Sequence, residues 1–224
     1  WALVFLLQCP ELDVKLITTS TGDTVYRARM VAKILEIAGR EDIPIGIGLP
    51  LDSMAETHAS WLGDYPLADY AGKVFRDGVG ALCETIVASE EMVSLICIGP
   101  LPNVAAALAR EPEIVNNARF VGMHGSIRRG YLGSPKPMRE YNVKQYAHSC
   151  QAVFAAPWEK VITPLDTCGT VVLKGERFAR VLEAAQANEI TAIVADNHLQ
   201  WFEAVRDWPV LQDVDPLRQS SVLY

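Results

Sequence analysis

Hydrophobic and polar positions change period several times along this chain. Residues 12–19 and 43–48 are short runs rich in β-branched and apolar side chains, whereas residues 24–39 carry apolar side chains at helical spacing. This order of strand, helix and strand is typical of a parallel sheet with crossover helices. Residues 92–98 form an unbroken apolar run that stops at Gly99 and Pro100, before a small-residue helix opened by Asn103. A strand that feeds a helix in this way is where α/β folds bind ligands.

The rest of the chain continues the pattern. Further strands are predicted over residues 119–123 and 161–165, and further helices over 71–89, 144–155, 175–187 and 189–205. A long polar and aromatic segment over residues 51–69 has the character of a mobile lid. The sequence therefore predicts an α/β fold with an open, mostly parallel sheet flanked by helices.

Composition narrows the functional classes. The 224 residues include 27 acidic and 20 basic side chains, a net charge of −7, and the basic residues are scattered. This distribution disfavours binding to a nucleic-acid polymer. Neither a transmembrane span nor a signal peptide is apparent. The five cysteines lack paired spacing, which favours free thiols in a reducing compartment, and so the cytoplasm.

Both ends of the chain interrupt apolar elements. Residues 1–7 are apolar without an initiator methionine or a helix cap, and residues 221–224 begin an apolar run with nothing behind it. We therefore expect residues 1–224 to be a single domain that is truncated at both ends. The oligomeric state is left open, a homo-oligomer included.

A series of short motifs gives the chain a more specific character. In order, they are Cys-Pro-Glu-Leu at 9–12, Thr-Gly-Asp at 21–23, Leu-Glu-Ile-Ala-Gly-Arg-Glu-Asp-Ile-Pro-Ile at 35–45, Ile-Gly-Pro-Leu-Pro-Asn at 98–103, Glu-Pro-Glu-Ile at 111–114, Met-His-Gly at 123–125, Glu-Tyr-Asn at 140–142 and Thr-Pro-Leu-Asp at 163–166. Their order resembles that of the inosine-uridine preferring nucleoside hydrolases over nearly the whole chain.

The resemblance implies a nucleoside hydrolase-like fold and a Ca²⁺-dependent hydrolysis of the N-glycosidic bond of nucleosides or related ribosides. Such a reaction needs an activated water and held sugar hydroxyls, and Ca²⁺ takes oxygen ligands. In the family, an N-terminal aspartate cluster supplies the main metal ligands and the base. By this alignment the cluster falls before Trp1, so the catalytic aspartates are expected outside the chain. The Ile98 carbonyl corresponds to a backbone ligand of Ca²⁺.

The resemblance also implies residues that bind a small-molecule nucleoside or sugar. Glu140 and Asn142 match the pair that holds the ribose hydroxyls, and Met123 would pack on the sugar. The other expected substrate-binding residues are Asp23 in place of an asparagine, His58 near the metal pocket, and Ser134 where an asparagine helps to hold the 5′-hydroxyl.

Departures from the family pattern leave alternatives open. Tyr224 stands near the family's leaving-group histidine, so protonation of the base would fall to Tyr224, His58 or His198, or be replaced by stacking on Trp61 or Trp201. Asp23, Ser134 and Tyr224 favour a divergent relative that acts on another glycoside or binds sugar without catalysis. A dinucleotide-cofactor protein is less favoured, because the Gly46-Ile-Gly48 segment lacks the third glycine of the phosphate-binding loop.

Simpler roles exist for the same residues. Asp23 and Asp166 each follow a predicted strand and are placed to cap a helix or a turn. Glu140 and Asn142, taken alone, read as surface loop residues. The histidines have no metal-ligand spacing.

Overall fold

Short parallel strands and flanking helices make up the protein. The computed structural model describes residues 1–51, 54, 56–208 and 211–220. The strands are β1 (Ile17–Thr18), β2 (Ile45–Gly46), β3 (Val74–Phe75), β4 (Val93–Cys97), β5 (Ala118–Gly122) and β6 (Lys160–Ile162). The helices are α1 (Ala2–Leu7), α2 (Thr24–Ile37), α3 (Ala59–Leu62), α4 (Gly78–Val87), α5 (Pro102–Arg110), α6 (Tyr141–Gln145), α7 (Ala147–Ala155), α8 (Glu176–Ala185) and α9 (Glu189–Val205), with 3₁₀ turns at Leu67–Asp69, Pro112–Asn116, Tyr131–Gly133 and Cys168–Thr170. Within the described residues, no helix is both long and apolar enough to cross a membrane.

The strands form two parallel three-stranded sheets, ordered β1-β2-β3 and β4-β5-β6. Ile45 lies opposite both Ile17 and Val74 in the first sheet, and Phe120 lies opposite Leu95 and Lys160 in the second. The predicted α/β class with parallel strands and flanking helices is confirmed. Because strands within each sheet run the same way, their carboxyl ends share one edge of that sheet.

Each sheet has its own hydrophobic core. Phe120 of β5 is fully buried in the core of the second sheet, where Ile86 of α4 and Val153 of α7 belong to the same cluster. Leu35 of α2 and Ile45 of β2 are fully buried in the core of the first sheet. Burial of each such side chain stabilises the fold by about 1.5–3 kcal/mol, so α2, α4 and α7 are fixed against their sheets.

The strands predicted over 12–19 and 43–48 are each only two residues long in the structure, and three further predicted elements differ from it. The helix predicted over 71–89 begins only at Gly78, because Val74 and Phe75 pair with β2 and Asp77 caps the helix by accepting from the Gly80 amide at 2.8 Å. The helix predicted over 144–155 is two helices, broken at Tyr146 where φ is −140°. The strand predicted over 161–165 covers Lys160–Ile162.

The predicted lid over 51–69 is wrong for its second half. Arg29 of α2 donates to the Tyr65 carbonyl at 2.6 Å, and Lys33 donates to the Trp61 carbonyl at 2.5 Å. The Trp61 amide in turn donates to Gln200 of α9 at 2.9 Å. These bonds hold the described part of 57–69 along α2 and α9 instead of over the carboxyl edge of the sheets.

A groove of about 1330 Å³ lies between the two sheets and is called the inter-sheet groove here. Its long walls are β1 and β4, and Leu3 and Leu6 of α1 also line it. Among the described residues, β1 and β4 each pair with another strand on one edge only. Ile96 and Ile98 are 42% and 47% exposed there, so β4 carries apolar surface that the described chain leaves uncovered.

Asn103 joins the two sheets at their carboxyl ends. Its Nδ2 donates to the Thr19 carbonyl at 2.8 Å, and its Oδ1 accepts from the Leu49 amide at 2.9 Å. A Cβ on Gly48 would lie 1.9 Å from the Thr19 carbonyl oxygen, so only glycine allows this approach. The expected helix opener thus sits inside the first turn of α5, and its side chain binds the neighbouring strand ends instead.

We expect Asn103→Ala to lower the free energy of unfolding by about 2–3 kcal/mol, because it removes the side-chain partner of the buried Thr19 carbonyl and that of the partly buried Leu49 amide. Urea titration of the variant measures this loss. Asn116→Ala is the matched control: that exposed side-chain amide bonds to the exposed Glu113 carboxylate, and its loss should stay within about 0.5 kcal/mol. Equal losses in the two variants would contradict the linking role of Asn103.

Candidate functional site

Glu140 is a buried carboxylate at the start of α6, with 3% of its surface exposed. Oε1 accepts from the Asn142 amide at 2.7 Å, and Oε2 accepts from the amides of Gly125 and Val143 at 3.0 and 3.1 Å. The carboxylate therefore caps its own helix and also holds the turn that follows β5. The simpler interpretation of Glu140 and Asn142 as surface loop residues is wrong, because both are buried, and Glu140 holds backbone groups of two segments.

Asn142 extends this arrangement to β4. Its Nδ2 donates to the Met123 carbonyl at 2.9 Å and lies 3.5 Å from the Ile98 carbonyl. Ile98, Met123, Gly125, Glu140 and Asn142 therefore lie together and are called the Glu140 cluster. Ile98 and Met123 directly follow β4 and β5, so the cluster stands at the carboxyl ends of parallel strands, where open α/β sheets bind ligands.

The cluster offers hydrogen-bond acceptors to a polyhydroxylated ligand. An ionised carboxylate has about four lone-pair positions, and backbone amides occupy three of those on Glu140. No ion pair among the described residues includes Glu140. A buried carboxylate that is bonded by backbone amides and has no ion-pair partner in the described part of the chain suits a sugar hydroxyl as a further donor.

Asp23 stands apart from the cluster. It is exposed and caps α2 by accepting from the Val25 and Tyr26 amides at 2.8 and 2.9 Å. Met54 connects the two regions: it packs against Gly22, and its Sδ accepts from the Tyr141 hydroxyl at 3.1 Å. The helix-cap role of Asp23 is confirmed.

The turn before Asp23 is strained. Thr21 has a φ of 77°, which is a genuine outlier for a β-branched residue, and it is buried with its hydroxyl unpaired among the described groups. The Arg27 Nε donates to its carbonyl at 2.6 Å. Strain of this kind costs about 1–3 kcal/mol and is concentrated at functional sites. No sequence pattern identified this residue.

Two other predicted residues belong to surrounding loops. Ser134 closes a turn, donating its amide to the Tyr131 carbonyl at 3.1 Å and accepting from the Gly130 amide at 3.0 Å. Asp166 accepts from the amides of residues 127–129 at 2.7–3.2 Å. The Ile127 bond and the other two backbone bonds lower the pKa of Asp166, so the turn-cap role considered for it is confirmed.

The proposed leaving-group acids do not join the Glu140 cluster. His198 is 2% exposed, with Nε2 3.1 Å from the Pro216 carbonyl and its ring against Phe178 and Trp1, so it is buried in a separate aromatic cluster. His58 lies beside α2, where its amide donates to the Tyr26 hydroxyl at 3.1 Å, and burial lowers its pKa.

The aromatic platforms lie elsewhere too. Trp61 packs near Lys33, whose Nζ is 4.5 Å from the ring centroid, and Trp201 packs edge-on against Trp208 at 6.1 Å. Neither contact brings an indole to the Glu140 cluster. Tyr224 lies outside the described residues.

His124 is a site residue that the sequence patterns did not single out. It follows Met123, is 1% exposed, and places Nε2 3.1 Å from the Gly99 carbonyl oxygen. Burial lowers its pKa to about 4, against a small opposing effect of the Gly99 hydrogen bond. The ring is therefore neutral at pH 7. Its signal in the sequence was only a histidine within the Met123-to-Gly125 motif.

Comparison with known proteins identifies the family of this chain. The sequence profile of the inosine-uridine preferring nucleoside hydrolases matches residues 1–217. The chain belongs to that family.

A curated nucleoside hydrolase relative illustrates the match in sequence. The pyrimidine-specific ribonucleoside hydrolase RihA of Citrobacter koseri is 30% identical over 214 residues, which cover 87% of this chain and 64% of the relative. RihA of an Escherichia coli strain is also 30% identical, over 206 residues and 65% of its length. The chain thus spans somewhat less than two thirds of these relatives.

Solved nucleoside hydrolase structures share the fold. The inosine-guanosine nucleoside hydrolase superposes with a TM-score of 0.74 at 17% identity, covering 99% of this chain and 71% of that one. The purine-preferring ribonucleoside hydrolase of Gardnerella vaginalis gives 0.72 at 20% identity, covering 92% and 68%. The nucleoside hydrolase-like α/β fold is confirmed.

The described residues do not by themselves fit a Ca²⁺ ion. Ca²⁺ takes six to eight oxygen ligands, whereas the described residues contain no group of three or more His, Cys, Asp or Glu that could hold a metal. The Ile98 carbonyl is one oxygen at the Glu140 cluster, and its neighbour Asn142 presents a donor to it. The described residues therefore supply at most part of a calcium site.

Stability should decrease as the pH falls from about 6.5 to 4, in part through His124. In this window the unfolded chain binds a proton at His124 while the folded protein does not, so the contribution of His124 is lost on acidification, up to about 3 kcal/mol. Urea titrations at pH 7 and pH 4.5 should show a smaller difference for His124→Phe than for the wild type. His148→Gln, which removes an exposed imidazole, is the control. An unchanged pH difference in His124→Phe would refute the buried neutral ring.

Proposed function

We propose that the protein hydrolyses the N-glycosidic bond of nucleosides or related ribosides. Membership of the nucleoside hydrolase family supports this reaction. The observation that carries it to particular residues is the Glu140 cluster, in which a buried carboxylate and an amide meet at the ends of β4 and β5. The ligand is a small molecule, and its ribose faces this cluster.

The proposed role of Glu140 is to accept a hydrogen bond from a ribose hydroxyl. Cleavage of the glycosidic bond develops positive charge on the sugar ring, and hydrogen bonds to ring hydroxyls strengthen in that transition state. The three backbone amides hold the carboxylate in place before the ligand arrives. Its orientation therefore costs little reorganisation during the reaction.

The proposed role of Asn142 is to orient the sugar against Met123. Its Nδ2 is held by the Met123 carbonyl at 2.9 Å, so the amide plane is fixed relative to α6 and β5. The Met123 side chain is 5% exposed and lies 3.4 Å from the same nitrogen through its sulfur. In this role the Met123 thioether faces the sugar ring, and the fixed Asn142 amide faces the hydroxyls of that ring.

We also propose that activity requires Ca²⁺, with Ile98 contributing a backbone ligand and aspartates from outside this chain contributing the carboxylates. When bound, the ion would supply Lewis acidity and lower the pKa of a bound water. The inter-sheet groove supports this proposal, because its lining reaches Thr19 and Ile98 at the carboxyl ends of β1 and β4. A segment seated there would end beside the Glu140 cluster.

A second candidate function is sugar binding or cleavage of another glycoside by a divergent relative. Asp23 favours it, because the exposed carboxylate is used as the cap of α2. Ser134 favours it as well, since a hydroxyl replaces a larger amide in the loop that follows β5. A panel of nucleosides and aryl glycosides separates the two functions.

The five cysteines, all free in the structure, support a reducing compartment and hence the cytoplasm.

We expect Glu140→Gln and Asn142→Ala to lower kcat/KM of the full-length protein on nucleosides by about ten- to hundredfold. Each removes a hydrogen bond of about 1.5–3 kcal/mol to a group that gains charge in the transition state. Steady-state rates on inosine, uridine and cytidine measure the effect, and EDTA followed by added Ca²⁺ tests the metal requirement.

Asn188→Ala is the control for lost helix capping, since Asn188 is the exposed cap of α9 and its side chain bonds to Thr191 of the same helix. It should keep wild-type kcat/KM. Full activity of Glu140→Gln would contradict the proposed role of Glu140 in the reaction. Activity that survives EDTA would contradict the calcium requirement, and a wild type inert on nucleosides would favour the second candidate.

A further inference from the structure

Backbone carbonyls at the end of β4 and just after it point toward β5. The Cys97 carbonyl accepts from the Met123 amide at 2.9 Å, which is the last rung of the ladder. The next carbonyl to face β5 is that of Gly99, and it meets the His124 side chain at 3.1 Å. The Ile98–Gly99 peptide therefore lies between two anchored carbonyls.

The His124 ring is fixed by packing. Phe120 and Phe154 lie 5.6 and 6.0 Å from it between ring centroids. A Cβ on Gly122 would lie 2.7 Å from His124 Nδ1 and 2.5 Å from the Phe120 ring, so glycine at this position makes the space for the imidazole. The ring has one available position, with Nε2 aimed at Gly99.

Packing alone does not account for a histidine here. A carbonyl oxygen only accepts, so a neutral ring bonded to Gly99 carries its proton on Nε2. Nδ1 is then a buried acceptor, and it has no hydrogen-bond partner among the described residues. An apolar ring of similar shape would avoid that unpaired nitrogen. The gain that offsets it is the bond to Gly99.

We propose that His124 is a positioning residue that holds the Ile98–Gly99 peptide in place for ligand binding. Gly99 has no Cβ, so its backbone is less restricted than that of other residues even with Pro100 after it, and a Cβ there would meet no atom within 4 Å. His124 fixes its carbonyl toward β5. The Ile98 carbonyl is thereby kept at the Glu140 cluster, 3.5 Å from Asn142 Nδ2. The effect on ligand binding rests on the proposed function, whereas the bond itself does not.

The bond is tested by NMR on the full-length protein, independently of activity. We expect long-range ¹H–¹⁵N spectra to place the His124 ring proton on Nε2. In His124→Phe, which keeps an aromatic ring but has no donor, the ¹³C carbonyl signal of Gly99 should shift, whereas His124→Gln should restore it because a glutamine amide can donate from a similar place. A ring proton on Nδ1, or a Gly99 signal unchanged in His124→Phe, would overturn the proposal.

The consequence for binding is tested by calorimetry with ribose. His124→Phe should weaken ribose binding by about tenfold, the equivalent of one hydrogen bond, and His124→Gln should stay within about threefold of the wild type. Equal ribose affinity in His124→Phe and wild type would contradict the positioning role. If the wild type fails to hydrolyse nucleosides, the proposed function fails while the NMR result still decides the Gly99 bond. If His124→Phe does not fold, the wild-type ring tautomer and the Gln variant decide it.

Discussion

The buried Glu140 carboxylate accepts hydrogen bonds from three backbone amides, and these bonds determine the geometry of the site. Glu140 starts α6 through Asn142 and Val143 and holds the turn after β5 through Gly125. Because α6 begins there, Asn142 is placed to reach the carbonyls that follow β4 and β5. The same carboxylate that would bind a ligand therefore aligns the other residues that would bind it.

Two further polar contacts keep the strand ends in register with this cluster. Asn103 joins the end of β1 to the segment after β2, and His124 joins the end of β4 to β5. Glu140, Asn103 and His124 are all buried side chains that bond to backbone groups in loops or in the first turn of a helix, where no ladder satisfies them. The edge that carries the site is thus held by side chains, while the sheets beneath it are held by apolar cores.

Secondary structure was predicted correctly from the sequence where a regular hydrophobic pattern extended over many residues. The helix over 24–39 and the strand before Gly99 correspond to α2 and β4. The two-residue strand β3 was missed because Val74 and Phe75 are too few to show a period, and their pairing with β2 is a tertiary effect. The break at Tyr146 was missed because the residues on both sides of it are compatible with a continuous helix.

The site was predictable only in part. Motif order brought Ile98, Asp23, Met123, Glu140 and Asn142 into one hypothesis. The structure places Ile98, Met123, Glu140 and Asn142 together, whereas Asp23 stands apart as the cap of α2. The roles of His124 and Thr21 depend on burial and backbone angle, which no local pattern encodes. His198 looked available in sequence, but packing against the segment at Pro216 buries it.

The most direct test of the account is a crystal structure of the full-length protein with ribose bound. We predict that a ribose hydroxyl donates to the Glu140 carboxylate, with the ring over Met123 and the Ile98 carbonyl at the same edge of the sheets. Ribose bound elsewhere, with Glu140 contacting only backbone amides, would contradict the central claim.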